Sequence, residues 1–331
     1  MDTCIICRGA EPFSGGGPRD AVAAAEVHCN VRAFSDRRFR VLRCSGCGSL
    51  HSAEDLDDAA LAAYYAAYPY HRQRYDLMTL LFYDVYERRL RRAGVREDHA
   101  ILDYGCGSGH LLRFLAWKKF RDLAGYDAHS EHFRDPAPLE RRYDCIIAQD
   151  VIEHVADPRA LLRRLRALLK PGGTLIIGTP NADGIDLGRP EEFRHALHQP
   201  YHRHMFSPRA LLVAAGALGL APRGHYLRPY THTIWPGLNQ SFMTYYARCF
   251  DDTMDLAFDG LRFHWRLLSP WAWLLFFFGY ASYRPTDMTF VFAATAEPDE
   301  DALASGLRCD GRDGIASPDD LARPALAGGP V

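Results

Sequence analysis

Net charge is nearly absent from this sequence: 39 lysines and arginines stand against 41 aspartates and glutamates, −2 at pH 7 over 331 residues. No global field therefore draws the chain to nucleic acid or to an anionic membrane, although a local basic face stays open. The first residues, MDTCIICRGA, hold neither a basic n-region nor an apolar h-region, so no export signal is expected. Internal repeats are lacking. Long apolar runs are scarce too: the strongest, LLSPWAWLLFFFGYASY at 267–283, is too short to span a bilayer and contains Pro270. A core helix or a contact with a second copy is its simplest reading. A membrane-surface contact is the alternative, with Arg262, Arg266 and Arg284 at its flanks.

What the sequence does hold begins with nine cysteines. Without an export signal they suggest a reducing compartment, the cytoplasm, where thiols bind metal or lie buried. Cys4-x2-Cys7 and Cys44-x2-Cys47 are separated by 36 residues, and each pair is followed closely by a small residue. Two such knuckles converge four thiolates into a tetrahedral zinc site, closed and hence structural. His28, Cys29 and His51 lie nearby, but none has a partner at knuckle spacing. Cys106, Cys145 and Cys249 fall within predicted elements and read as core residues.

Four segments follow from composition and periodicity: a zinc-binding module at 1–52, a helical linker or lid at 53–98, an α/β domain at 99–298 and a disordered tail at 299–331. AEDLDDAALAAYYAAY and RYDLMTLLFYDVYERRLRRAG read as helices, the second closed by Gly94. The strands AILDYG, LAGYDA, YDCIIAQDV and TLIIGTP then alternate with helices, one opened by Asp157-Pro158 and another by Ser207-Pro208. APRGHYLR and DMTFVFAATA end the series, with about 60 residues inserted at 229–285 between them. Apolar strands alternating with helices predict a Rossmann-like, parallel sheet covered on both faces.

LDYGCGSGH at 102–110 sets three glycines between a strand and a helix, where bare backbone N–H groups meet a ligand. Asp127, 18 positions past Gly109, ends the next strand, where a carboxylate can accept both ribose hydroxyls. A dinucleotide fingerprint needs its third glycine one position later. Asp103, inside the strand, would also repel a pyrophosphate and suits a ligand carrying an ammonium and a sulfonium. A tight strand–helix turn without any ligand is the plainer reading.

ILDYGCGSGHLLRFLA, GYDAH, YDCIIAQDVIEHVADPRALLRRLRALLKPGGTLIIGTPN and YHRHMFSPRALLVAAGALGL resemble the successive motifs of class I S-adenosylmethionine-dependent methyltransferases. DVIEHVADP is similar to a segment of the ubiquinone-biosynthesis O-methyltransferases and of bacterial glycan and natural-product methyltransferases. The cysteine pairs resemble the zinc-binding module of sugar C-methyltransferases. The resemblance implies a cofactor floor of Asp103, Gly105, Gly107 and Gly109, ribose on Asp127, and Asp150 as a further cofactor contact. One departure stands out. Only 16 residues lie between Asp127 and Asp144, too few for a crossover helix of ~10–12 residues and a strand of ~5. The third, edge strand is therefore expected to be missing, with Asp135 a remnant of the adenine wall.

Methyl transfer from a sulfonium is an in-line displacement, so the protein positions the acceptor and removes a proton, a task suited to histidine. Glu153-His154 follow the fourth strand. His195, His198, His202 and His204 lie in HALHQPYHRHMFSP, which resembles the YHEHFSYFS pattern of zinc-containing sugar C-methyltransferases, whose tyrosine, glutamate and histidine line the acceptor site. Tyr201 and His204 match that pattern, and Arg203 replaces its glutamate. The expectation is His204 as base, His154 as the alternative, Tyr201 beside them, and Arg203 with His202 holding the acceptor. Both bases follow strand C-termini, whereas His28, His51 and His225 do not. The tyrosines of AAYYAAYPYHRQRY are either a lid or one helix's packing face. The acceptor is expected to be a small molecule: a sugar, a glycan precursor or a natural-product intermediate. RNA methylation through the zinc module, or a binding protein with a degenerate cofactor site, are the competing readings.

Overall fold

A computed structural model describes residues 4–7, 21–54, 56, 58–68 and 73–295. The expected tail and residues 69–72 of the tyrosine-rich stretch lie outside the described residues. Three antiparallel strands open the chain: β1 (Ala21–His28), β2 (Arg38–Cys44) and β3 (Leu50–Ser52). Two helices follow, α1 (Asp58–Ala67) and α2 (Leu77–Arg92), the latter capped by the Asp76 side chain on the Thr79 N–H. Then come β4 (Ala100–Tyr104), α3 (His110–Trp117), β5 (Asp122–Tyr126), β6 (Tyr143–Gln149), α4 (Pro158–Ala167), β7 (Leu169–Pro180) and α5 (Arg194–Leu197). The chain continues through β8 (His204–Met205), α6 (Pro208–Gly216), β9 (Leu220–Tyr226), α7 (Gln240–Arg248), α8 (Pro270–Phe278) and β10 (Asp287–Ala294).

Six strands form the main sheet in the order β5-β4-β6-β7-β10-β9. This is the expected α/β Rossmann-like architecture. Between β5 and β6 there is only a loop with one 3-10 turn, so β5 is the sheet edge and the third strand is indeed missing. The expectation of a wholly parallel sheet needs correction. β4 to β7 run parallel, but β10 is antiparallel to both β7 and β9. Asn181, just past β7, donates its backbone N–H to Thr286 and its amide to Pro285, 2.8 Å each. The chain thus re-enters the sheet at the end where β7 leaves it, and a strand starting there must run backwards.

Helical spacing of leucines covers both faces. Asp157 accepts from the N–H groups of Arg159 and Ala160 with Pro158 at the first turn, and α4 then buries Leu161, Leu162 and Leu165. With Leu211, Ala214 and Ala215 of α6 they pack on Leu102, Ile146, Leu175, Ile177 and Phe292. On the opposite face Tyr83, Tyr86 and Leu90 of α2 and Phe114 and Leu115 of α3 cover Ile101, Cys145, Ile147, Ile176 and Val291. Each fully buried leucine, isoleucine, valine or phenylalanine among them contributes about 1.5–3 kcal/mol by leaving water.

The N-terminal strands are joined to this core. β8 completes their sheet by pairing with β3, and Ile6, Cys7, Cys44 and Cys47 belong to the α4–α6 core. Ser207, the cap of α6, donates its hydroxyl to the Cys47 carbonyl at 2.6 Å. The inserted segment holds α7 and α8. Of α8 only Ala272 is buried, with Trp271, Trp273 and Phe278 exposed, so it is not the expected core helix. Among the described residues no helix is long and apolar enough to cross a membrane.

Candidate active site

The three glycines after β4 all have positive φ, +81° at Gly105, +53° at Gly107 and +71° at Gly109, a region costly for side chains. Their surroundings differ. A Cβ at Gly105 would lie 2.4 Å from Val151 Cγ2, and one at Gly109 would lie 2.5 Å from the Phe133 ring. A Cβ at Gly107 meets nothing within 4 Å. The outer glycines make close packing; the middle one borders open space, at the N-terminus of α3, whose first turn has no side-chain cap.

Asp127 and Asp103 lie beside that loop. Asp127 accepts from the N–H of Gly107 and from that of His129, 2.8 Å each, which leaves further lone pairs on both oxygens. Asp103 is buried, and burial together with the charge of Asp127 raises its pKa to about 7. Asp135 accepts from the Ala137 N–H at 3.0 Å, as a turn cap. Asp150, with φ +55°, donates its N–H to Gly178 and accepts from the Gln149 amide at 2.9 Å. It is open to solvent yet ringed by protein, as a cleft residue is. That surrounding and Asp287 raise its pKa to about 7, and burial raises Asp287 to about 6. Tyr86 and Tyr230 feel both Asp103 and Asp150. Asp287, Tyr86 and Tyr230 were not singled out in the sequence. A lone acid at the head of DMTFVFAATA was the one available signal.

The histidine loop departs from expectation. His204 Nε2 lies 3.3 Å from the Ala156 carbonyl and its Nδ1 lies 3.2 Å from His51 Nδ1, so both ring nitrogens are engaged. His204 lies in β8, buried, with its pKa pushed down to about 4 by burial. A base needs a free lone pair. The role assigned to His204 is therefore corrected: it joins the N-terminal sheet to the 153–157 segment. Tyr201 is corrected likewise, being wholly buried with its hydroxyl donated to the Tyr64 carbonyl at 2.9 Å. Arg203 directs its guanidinium to the Leu56 carbonyl at 3.4 Å.

His154 and His202 keep lone pairs. Their Nδ1 atoms lie 3.0 and 2.9 Å from the carbonyls of Tyr201 and Ala196, which fixes Nε2 as the acceptor in each. One ring nitrogen of each and a Glu153 carboxylate oxygen lie within 4.8 Å of one another, a group able to share a proton or a divalent cation. Burial lowers both imidazoles, His154 to about 4, and raises Glu153. The tyrosines of α1 and just beyond it pack here: Tyr65 bonds His154 at 3.0 Å and stacks on His129, and Tyr68 packs against His198 and Tyr201. They form a packing face.

Cys4, Cys7, Cys44 and Cys47 bring their Sγ atoms within 4.8 Å of one another. The pairs Cys4–Cys47 and Cys7–Cys44 are both 3.8 Å apart. Tetrahedral zinc with Zn–S of about 2.3 Å requires S···S of about 3.8 Å. The donor set fits the metal. His51 Nε2 lies 3.0 Å from Cys4 Sγ, outside the four thiols.

Residues 70–223 match a family model described as a methyltransferase domain. The ubiquinone biosynthesis O-methyltransferase of Cereibacter sphaeroides is 35% identical over 24% of this chain and 41% of that protein. That of Bordetella avium is 26% identical over 40% of this chain and 66% of that protein. The chain thus spans less than two thirds of either relative. A crystal structure of 1,6-didemethyltoxoflavin-N1-methyltransferase from Burkholderia thailandensis, with 1,6-didemethyltoxoflavin and S-adenosylhomocysteine bound, is 13% identical. It aligns at a TM-score of 0.43 over 82% of this chain and 99% of that one.

Proposed function

We propose that this chain, whose residues 70–223 form a methyltransferase domain, transfers a methyl group from S-adenosylmethionine to a small-molecule acceptor. The observation that carries the reading is Gly107: a glycine loop whose central Cβ would enter open space, between Asp127 and the buried Asp103. Gly105 and Gly109 let that loop pack closely against Val151 and Phe133. Asp127 offers its remaining lone pairs to ribose hydroxyls. Asp103 stabilises positive charge, and a cationic ligand draws its pKa back down. When bound, S-adenosylmethionine supplies a methyl group on a sulfonium. Beyond it, at the C-terminal end of β6, Asp150 and His154 are the groups that can take the acceptor's proton, with His202 beside them.

The finer reading is a sugar, a glycan precursor or a natural-product intermediate as acceptor, supported by the likeness of the cysteine pairs to the zinc modules of sugar methyltransferases. Cys4, Cys7, Cys44 and Cys47 would hold one structural zinc, which four thiolates close to chemistry. Such thiolates must stay reduced, in keeping with the cytoplasm. Calorimetric titration with S-adenosylhomocysteine and with NADH tests the reading. Heat with the sulfur ligand alone is expected; binding of NADH alone would end it.

A further inference from the structure

The face of the main sheet that α2 covers carries an unusual set of groups. Asp103 pairs in register with Ile147, Ile147 with Ile176, Gln149 with Gly178, Gly178 with Thr289 and Pro180 with Asp287. Residues two apart share a face, so Asp103, Gln149 and Asp287 share one, rising toward the C-terminal edge. Asp150 follows Gln149 there. Among the described residues no lysine or arginine forms an ion pair with Asp103, Asp150 or Asp287; burial raises all three, Asp127 acts on Asp103 and Asp287 on Asp150, and the neutral Gln149 amide and Thr286 hydroxyl donate to Asp150 and Asp287. Polar atoms around them also lack partners. The Tyr86 hydroxyl, only 2% exposed, has none, nor do Gln149 Oε1 and Glu153 Oε1. Tyr86 lies within electrostatic reach of Asp103 and Asp150, and Glu153 within reach of Asp150 and Asp287.

The charges choose between acceptor classes. The cofactor's positive groups answer Asp103, beside the glycine loop. Asp150 and Asp287 remain, near enough for Asp287 to act on Asp150, and neither is ion-paired with a lysine or arginine among the described residues. With a neutral hydroxyl the pair's repulsion is left for a proton to relieve, and a carboxylate or phosphate would add a third negative charge. A protonated amine answers the pair directly. We propose that the acceptor is a basic amine bound between Asp150 and Asp287, and that the reaction is N-methylation. This rests on the methyl-transfer reading above.

The step balances within the groups named. The bound ammonium gives one proton to the Asp150 carboxylate, which frees the nitrogen lone pair. That pair attacks the methyl carbon while the carbon–sulfur bond breaks and its electrons pass to sulfur. The sulfonium becomes a neutral thioether, and the nitrogen becomes a methylated ammonium still facing Asp287.

The test is calorimetry on the full chain saturated with S-adenosylhomocysteine, using three amines beside their alcohol counterparts. The pairs are tyramine and tyrosol, putrescine and 1,4-butanediol, and glucosamine and glucose. At least one amine is expected to bind ~10-fold or more tighter than its counterpart. In Asp287→Asn that preference should fall below ~3-fold, with binding of S-adenosylhomocysteine reported alongside to show the variant folded. No preference for any amine overturns the proposal, and so does a preference that survives in both Asp150→Asn and Asp287→Asn. Failure of S-adenosylhomocysteine itself to bind is a separate result, and it removes the methyl-transfer reading instead.

Discussion

Gly107 and Gly94 form a matched pair that separates backbone cost from ligand space. Both have positive φ, +53° and +84°, and neither has an atom within 4 Å of its Cβ position. Gly94 ends the helix α2, whereas Gly107 lies in the loop before α3. A leucine at either position pays the left-handed penalty of about 1–2 kcal/mol and meets no protein atom at its Cβ. With about 2–4 °C per kcal/mol for a domain of 150–250 residues, each variant should melt about 2–8 °C lower. Binding should then part them. Gly94→Leu keeps the affinity for S-adenosylhomocysteine, and Gly107→Leu loses at least ~100-fold, about 2.7 kcal/mol. Thermal unfolding and calorimetry on both variants measure the two quantities. Wild-type affinity in Gly107→Leu, at a melting temperature like that of Gly94→Leu, would refute the placement of the cofactor over this loop. Gly105→Ala is the contrasting case: its Cβ would stand 2.4 Å from Val151, so stability falls before binding is reached.

Elemental analysis is expected to find one zinc per chain. Because Cys7, Cys44 and Cys47 belong to the core under α6, chelation should lower the melting of the whole chain and not only of its first 52 residues. His204→Ala removes a buried link between His51 and Ala156, so it should cost about 1–3 kcal/mol by denaturant titration and leave the rate at folding-permissive temperature within a fewfold. His154→Ala should lower turnover by ~10²–10⁴ if its Nε2 takes the proton; full activity there transfers that role to Asp150. Asp103 has a folded-state pKa near 7, above the unfolded value of 3.8. Its raised pKa contributes stability that is complete below pH ~4 and lost as pH rises through ~7. The ligand-free protein should therefore lose stability across that window, less so in Asp103→Asn, as denaturation midpoints at successive pH values would reveal.

Local chemistry carried much of this protein. The main-sheet strands, the caps at Asp157 and Ser207, the helix end at Gly94 and the missing third strand are all decided over short distances. Apolar runs, capping side chains and a count of 16 residues are enough to read them. The cysteine knuckles and the glycine loop are equally local, because each sets its backbone geometry within a few residues. Contacts between distant segments were beyond that reach. That β10 runs backwards depends on Asn181 holding residues 285 and 286. That His204 serves a joint depends on β8 pairing with β3, across some 150 positions of chain. Asp287 acts on Asp150 only because β7 lies between β6 and β10 in the folded sheet. A histidine's spare lone pair and a carboxylate's missing cation are properties of an assembled environment, and only the tertiary structure brings those neighbours together.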